Sequence, residues 1–268
     1  MLGNQEISEL ELSRKGYQVL GGFVSKDKTE LVLEEIFEKE TQSEAYRPDR
    51  ADNSKPFVTI FVAGFRDEQI IVPIDQCKHL STLVKKAADD INRRFDPEVI
   101  FAYEITVFKK RQGSPALELH QDAWYHPFEL SENKFEYLSY YIPLTSFDKA
   151  TSQLGLISWE HIDLNVSYQE KHIIDGTALH KQNEKQELTF RESDIEYPVM
   201  NSGDCCIFEI RSPHNSAPHD IAKDRYALSI RFGTTWPKLS KIGEARANFV
   251  KQLKQNGFES FLWLKGKP

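Results

Sequence analysis

Sulfur is scarce in this chain: 268 residues include 3 cysteines, Cys77, Cys205 and Cys206, and 2 methionines. An odd number of cysteines, two of them adjacent, gives neither a disulfide framework nor the paired spacing of a zinc site, so a reducing cytoplasm is the expected location. No apolar run approaches the roughly 18 residues of a membrane-spanning helix. The opening Met1-Leu-Gly-Asn-Gln-Glu6 lacks the basic and apolar regions of a signal peptide. There is also no basic block. Lys and Arg number 34 against 41 Asp and Glu, for a formal charge of −7, which argues against nucleic acid or an anionic membrane as partner. Internal repeats and low-complexity tracts are absent. The expected partner is a small molecule, and the sequence is silent on oligomeric state.

What is present has two characters. Residues 1–96 alternate helical and strand patterns. Ile7, Leu10 and Leu12 suggest a short helix closed by Lys15-Gly16, and Tyr17–Phe23 reads as a strand. Ser25 stands in the N-cap place of a helix running to about Thr41. Residues 42–56 are polar and aperiodic, a loop or lid. Phe57–Val62 and Gln69–Pro73 read as strands, and about 75–95 as a helix ended by Pro97. From Val99 onward short strands dominate: Val99–Lys110, Ala116–Asp122, Phe135–Leu144, Gln153–Ser158, Cys205–Ile210 and Arg225–Phe232. Such spacing behind a helical start indicates a mainly β domain, a β-sandwich or jelly roll flanked by helices. The expected organisation is one domain over 1–268. Residues 1–96 form a helical flank with accessory strands, 97–236 the core with an insertion at about 161–200, and 237–268 a C-terminal helical tail.

The chemistry gathers around Leu117-Glu-Leu-His120-Gln121-Asp122-Ala-Trp124. On a strand, residues i and i+2 share a face, so His120 and Asp122 would point to the same side. One imidazole and one carboxylate are two thirds of the 2-His-1-carboxylate set that holds non-heme Fe(II). A third ligand must come from a late strand. His214 qualifies among the eight histidines, because Gly203-Asp-Cys-Cys-Ile-Phe-Glu-Ile-Arg-Ser-Pro-His214 is a tight turn followed by an apolar strand that delivers the histidine to its far end. Arg225 opens the next strand, where a guanidinium can clamp a carboxylate bidentately.

These features resemble the phytanoyl-CoA dioxygenase-like family, which are iron- and 2-oxoglutarate-dependent oxygenases on a double-stranded β-helix. The resemblance rests on His120-Gln121-Asp122, the Gly203-Asp204 turn and His214 followed by x-Ser216-x-Pro. It rests also on Arg225 eleven residues beyond His214, and on the opening Gly16-Tyr-strand-helix unit. Trp159-Glu160-His161 and His219 depart from the family's pattern. The resemblance implies a cupin-like jelly-roll core, Fe(II) held by His120, Asp122 and His214, and 2-oxoglutarate held by Arg225 with the Ser216 hydroxyl assisting. O2 would be the oxidant. The carboxylate of Asp122 favours hydroxylation, desaturation or ring formation over halogenation.

Candidate substrate residues are Gln121, Trp124, Tyr141 and Arg211, the last for an anionic group, with Tyr125, His126, Tyr137 and Tyr140 as further aromatic neighbours. Nothing in 42–56 or 161–200 names a ligand, and a small polar metabolite or natural-product intermediate is the expected substrate. Two other readings fit the same ligand pattern: a cupin-type isomerase or hydrolase that needs no 2-oxoglutarate, and a non-catalytic binding module.

Overall fold

The computed structural model describes residues 11–42, 56–62, 69–126, 128–131, 133–146, 153–162, 191–239 and 261–267. After a helical segment at 11–15, the elements are β1 (Tyr17–Leu20), α1 (Lys26–Thr41), β2 (Phe57–Val62), β3 (Gln69–Pro73), α2 (Lys78–Phe95), β4 (Ile100–Lys110) and β5 (Leu117–His120). Then come β6 (Tyr137–Pro143), β7 (Leu154–Ile157), β8 (Ile195–Glu196), β9 (Cys205–Glu209), β10 (His214–Ser216), β11 (Arg225–Gly233) and β12 (Leu262–Lys265).

Two sheets face each other. The larger runs β1-β9-β6-β11-β4-β2-β3, with β12 also on β4, and the smaller runs β5-β10-β7-β8. Every pairing is antiparallel except β2 with β4. The alternation of strand side chains separates two cores. On the outer face Leu138, Tyr140, Ile142, Cys205, Ile207, Leu228 and Ile230 pack with Val32 and Ile36 of α1 and Leu80, Val84 and Ile91 of α2. On the inner face Tyr141, Cys206, Phe208 and Ala227 meet Leu154 and Leu156 of the small sheet. Cys205 and Cys206 therefore point to opposite sides, as expected. This is the mainly β jelly-roll core with flanking helices, a double-stranded β-helix.

The turn before β9 is built by Gly203 and Asp204. Gly203 has φ +88°, and a Cβ there would lie 2.1 Å from the Val24 carbonyl oxygen, so only glycine fits. The Asp204 carboxylate accepts from the backbone N–H groups of Gly22 and Asn201, tying the β1–α1 loop to the turn.

Several boundaries differ from expectation. The helix expected from about 75 begins at Lys78, after a 3-10 turn over Ile74–Gln76. Its first N–H groups, those of His79 and Leu80, are satisfied by the Glu35 carboxylate of α1, a cap from another helix that local sequence cannot reveal. Ser25 occupies the N-cap of α1 without a side-chain cap bond. The strand expected over 116–122 stops at His120, and Asp122 opens a 3-10 turn, Asp122–Tyr125. The insertion does not extend to 200. Ile195–Glu196 pairs with Leu156–Ile157 as the edge of the small sheet, and Met200 is fully buried. The C-terminal segment that is described is a strand on β4 rather than a helix. Residues 43–55 of the expected lid and 163–190 of the insertion lie outside the described residues. Among the described residues no helix is long and apolar enough to cross a membrane.

A buried ion pair fastens α2 to the sheet. Asp90 receives Arg94 Nε at 2.6 Å and the Tyr140 hydroxyl at 2.9 Å, and Arg94 also reaches Gln18 of β1. Both side chains of the pair are 5% exposed. Removing one partner strands the other charge in the core, so Asp90→Ala is expected to lower unfolding stability by about 3–5 kcal/mol. Urea unfolding measures this, and a loss under about 1 kcal/mol would contradict it.

Candidate metal centre

His120 ends β5 and His214 opens β10, and the two residues are direct cross-strand partners. Asp122 lies on the same side as His120, as the i, i+2 spacing implies. The chain is still extended at Gln121, which carries the alternation one residue past the end of β5, and only from Asp122 does it turn away in the 3-10 segment. One ligand atom from each of the three residues lies within 4.8 Å of the others. His214 Nε2 is 3.9 Å from Asp122 Oδ1, and the two imidazole centroids are 4.3 Å apart. Ligands on adjacent positions of a metal with bonds of about 2.1 Å stand roughly 3 Å apart, so a small inward movement closes the set.

The protonation pattern suits a cation. His120 Nδ1 donates to the Glu118 carbonyl at 2.8 Å, and His214 Nδ1 to the Ser212 carbonyl at 3.0 Å. Both Nε2 atoms therefore carry lone pairs, and the rings are held in orientation. Burial pushes both imidazoles below the usual histidine range. His214, with His120 beside it, goes down to about 4, so both are neutral at pH 7. Burial would raise Asp122, but the neighbouring Arg231 guanidinium, His214 and His120 outweigh it and hold the carboxyl well below the usual range. Two neutral imidazoles and a carboxylate are the donor set that a divalent first-row metal requires.

Arg231 is the residue that sequence reasoning missed. Its Nε donates to Asp122 Oδ2 at 2.9 Å and its Nη2 to Oδ1 at 2.6 Å, while Nη1 meets Glu104 at 2.5 Å. Ser139 Oγ adds a further bond to Oδ2 at 3.1 Å. A carboxylate has about four lone-pair sites. Those of Oδ2 are taken by Arg231 and Ser139, and one of Oδ1 by Arg231. Oδ1 is also the oxygen that lies 3.9 Å from His214 Nε2, so Asp122 would offer a metal one oxygen. The only sequence signal was periodicity: Arg225, Ala227, Ser229 and Arg231 share one face of β11, and that face is the inner one.

Arg225 lies on that face, 3% exposed, and its Nη2 donates to the Tyr141 hydroxyl at 2.9 Å. Tyr141 stands opposite Ser229, toward the centre of β11, so the guanidinium is drawn inward. Lys110, unremarked in the sequence, is the direct cross-strand partner of Arg225 and is equally buried. Burial, with the Arg225 charge beside it, lowers its amine to about 7. Its Nζ donates to the Pro115 and Ala217 carbonyls. Ser216 is buried two residues beyond His214 on the same strand.

The other candidates separate. Gln121 is fully buried and donates to the Arg211 carbonyl, which turns it from the centre. Arg211 does not present itself to an anion. It grips Glu209, with Nε at 2.9 Å, and reaches the Ser131 and Asn133 carbonyls. Tyr140 faces the helices and Tyr137 packs with Phe128 and Phe101. His126 meets the Tyr103 hydroxyl. The side chains of Trp124 and Tyr125 lie outside the described residues.

No family model matches the chain, and no curated protein matches it. Solved structures do, 238 chains in number. SnoK, a non-heme alpha ketoglutarate dependent carbocyclase from nogalamycin biosynthesis, superposes with a TM-score of 0.64 at 13% identity, covering 98% of this chain and 97% of its own. ThoJ, a non-heme monooxygenase in its apo form, gives 0.62 at 13% identity over 95% of each chain. SnoN, an epimerase in complex with Fe3+, alpha ketoglutarate and nogalamycin RO, gives 0.58 at 14% identity, covering 89% of this chain and 87% of its own. At these identities the likeness establishes the fold.

The Asp122–Arg231 contact sets up a test with two opposite outcomes. If Arg231 positions the carboxylate, Arg231→Met weakens Co(II) binding by about 10- to 100-fold in a calorimetric titration. If the guanidinium acts only as a competing positive charge, the same substitution tightens binding.

Proposed function

We propose that the chain is an Fe(II)- and 2-oxoglutarate-dependent oxygenase of the kind the phytanoyl-CoA dioxygenase-like resemblance implies. It would hydroxylate, desaturate or cyclise a small molecule with release of succinate and CO2. The observation that carries this reading is that two charge patterns stand on the facing sides of the two sheets. The His120–Asp122–His214 donor set stands on the small sheet and its turn, and two buried basic side chains, Arg225 and Lys110, stand on the large one. A simple cupin metal site has no need of the second. The neighbours SnoK and SnoN, described as alpha ketoglutarate dependent, support the same reading.

Each side chain has a part. His120, Asp122 and His214 would hold Fe(II), with Asp122 supplying Oδ1. Arg225 would take the distal carboxylate of 2-oxoglutarate, its fork suited to bidentate contact. The Tyr141 hydroxyl fixes that fork, Lys110 adds positive charge beside it, and Ser216 offers a hydroxyl. Bound iron with the 2-oxo acid supplies oxidation of a C–H bond by O2, and the protein contributes binding and orientation. The dry inner core of Phe208, Leu156 and Met200 beside His214 excludes water from one side of the centre.

Two measurements check the reading. Anaerobic addition of Fe(II) and 2-oxoglutarate is expected to give a weak visible charge-transfer band. Arg225→Met is expected to weaken 2-oxoglutarate binding about 100-fold, or nearly 3 kcal/mol. A metal-loaded protein without the band, or an unaffected variant, would refute it.

A second prediction concerns pH. Lys110 is cationic in the free protein only below about 7, and a dianion binds the cationic form better. Affinity for 2-oxoglutarate should therefore fall as pH rises above about 7, by up to about tenfold per unit. In Lys110→Met this slope should vanish. Equal slopes in the two proteins would show that Lys110 takes no part.

A further inference from the structure

β2 has an unusual division of its residues. Val58, Ile60 and Val62 are buried on the outer face, but Phe57, Thr59 and Phe61, which point to the inner side of the large sheet, are only half-buried. Two phenylalanines left half-covered beside a catalytic chamber are a binding feature more than a packing one. Parallel pairing sets Thr59 beside Thr106 and Phe61 beside Phe108, and the rings of Phe61 and Phe108 meet edge to face at 6.0 Å. Together with Glu104 these residues line a groove of about 350 Å³, within the size of a small-molecule site and apolar with a few polar groups, as such sites are.

A hydrogen-bond relay links one wall of the groove to the candidate metal centre. Glu104, in its wall, shares the Arg231 guanidinium with Asp122, so wall and proposed iron ligand are two hydrogen bonds apart. Its charge is equally specific. Among the described residues lining it there is no lysine, arginine or histidine, and Glu104 is the one ionised group. The Glu104 side chain is 38% exposed, and its Oε1 accepts a bond from the Thr106 hydroxyl at 3.3 Å. Arg225 and Lys110 do not line the groove. Lys110 follows the lining Phe108 by two residues, but the Glu104 end lies beside Arg231, six residues or about 20 Å of strand beyond Arg225.

We propose that this groove is the substrate site. The substrate places a ring-sized apolar part against Phe57, Phe61 and Phe108, and a hydrogen-bond donor or protonated amine, rather than a carboxylate or phosphate, against Glu104. This rests on the oxygenase reading and narrows it, from a small polar metabolite to an amphipathic molecule without negative charge at that end.

Three matched probes test it: 2-phenylethylamine, 2-phenylethanol and 3-phenylpropionate, each titrated by ligand-detected NMR into protein holding Fe(II) and 2-oxoglutarate without oxygen. The amine and alcohol should bind, and the carboxylate at least about tenfold more weakly, a difference that Glu104→Gln should reduce. Thr59→Trp should fill the groove and abolish binding of all three while 2-oxoglutarate still binds. Phe61→Leu, a milder change, should weaken the amine and alcohol by about tenfold. Equal affinity for the carboxylate, or full binding to Thr59→Trp, would overturn the proposal. If 2-oxoglutarate fails to bind the unaltered protein while the probes bind as described, the oxygenase reading falls and the groove stands.

Discussion

Asp122 can remain an ionised carboxylate in a buried place because Arg231 shares its charge. An isolated carboxylate so buried would take up a proton and lose its value as a ligand. The guanidinium, bonded to both oxygens, prevents this. It would also repel a divalent cation, were it not itself paired with Glu104. The Asp122–Arg231–Glu104 chain carries one net negative charge, shared between the carboxylate beside the two imidazoles and the one in the groove wall. Geometry and electrostatics therefore agree: the three donor groups are gathered, and their protonation suits a cation.

The same strand that delivers Arg231 delivers Arg225, and the alternation of β11 places both on the inner face with Ala227 and Ser229 between them. Small side chains at those two positions leave room between the sheets where larger ones would fill it. The inner face consequently has a polarity. One end bears Arg225 and Lys110, the other bears Arg231 paired with Glu104, and Phe108 with its neighbour Phe61 lies between them.

The ligand pattern was legible in the sequence because its parts are local: a His-x-Asp spacing, a Gly-Asp turn feeding an apolar strand, an arginine at the start of the next. The same-face reasoning for the His120–Asp122 pair holds although β5 stops at His120, because Gln121 is still extended and the 3-10 turn begins only at Asp122. Arg231 and Lys110 escaped notice because their roles depend on register between distant strands. Lys110 matters through standing opposite Arg225, and Arg231 through a carboxylate 109 residues away. Arg211 and Gln121 show the converse. They sit next to the motifs in sequence, but Glu209 and the Arg211 carbonyl occupy them. The start of α2 was misplaced for the same kind of reason, its cap being supplied by Glu35 of another helix.

The centre is divided between the sheets. His120, His214 and the turn bearing Asp122 extend from the small sheet, whereas Arg231, Ser139, Tyr141 and Arg225 belong to the large one. Neither half is a site by itself: without the large sheet Asp122 loses its counter-charge, and without the small one Arg231 and Arg225 face no ligand set. A metal held by the assembled donors would oppose separation of the sheets, because the unfolded chain offers no comparable arrangement. The small sheet has few residues with which to hold itself closed. β10 has 3 residues and β8 has 2, and its inner contacts rest on Leu154, Leu156 and Met200. An ion shared by the two sheets would add to these few contacts, so the stability of that half of the sandwich and the affinity of the centre would be coupled.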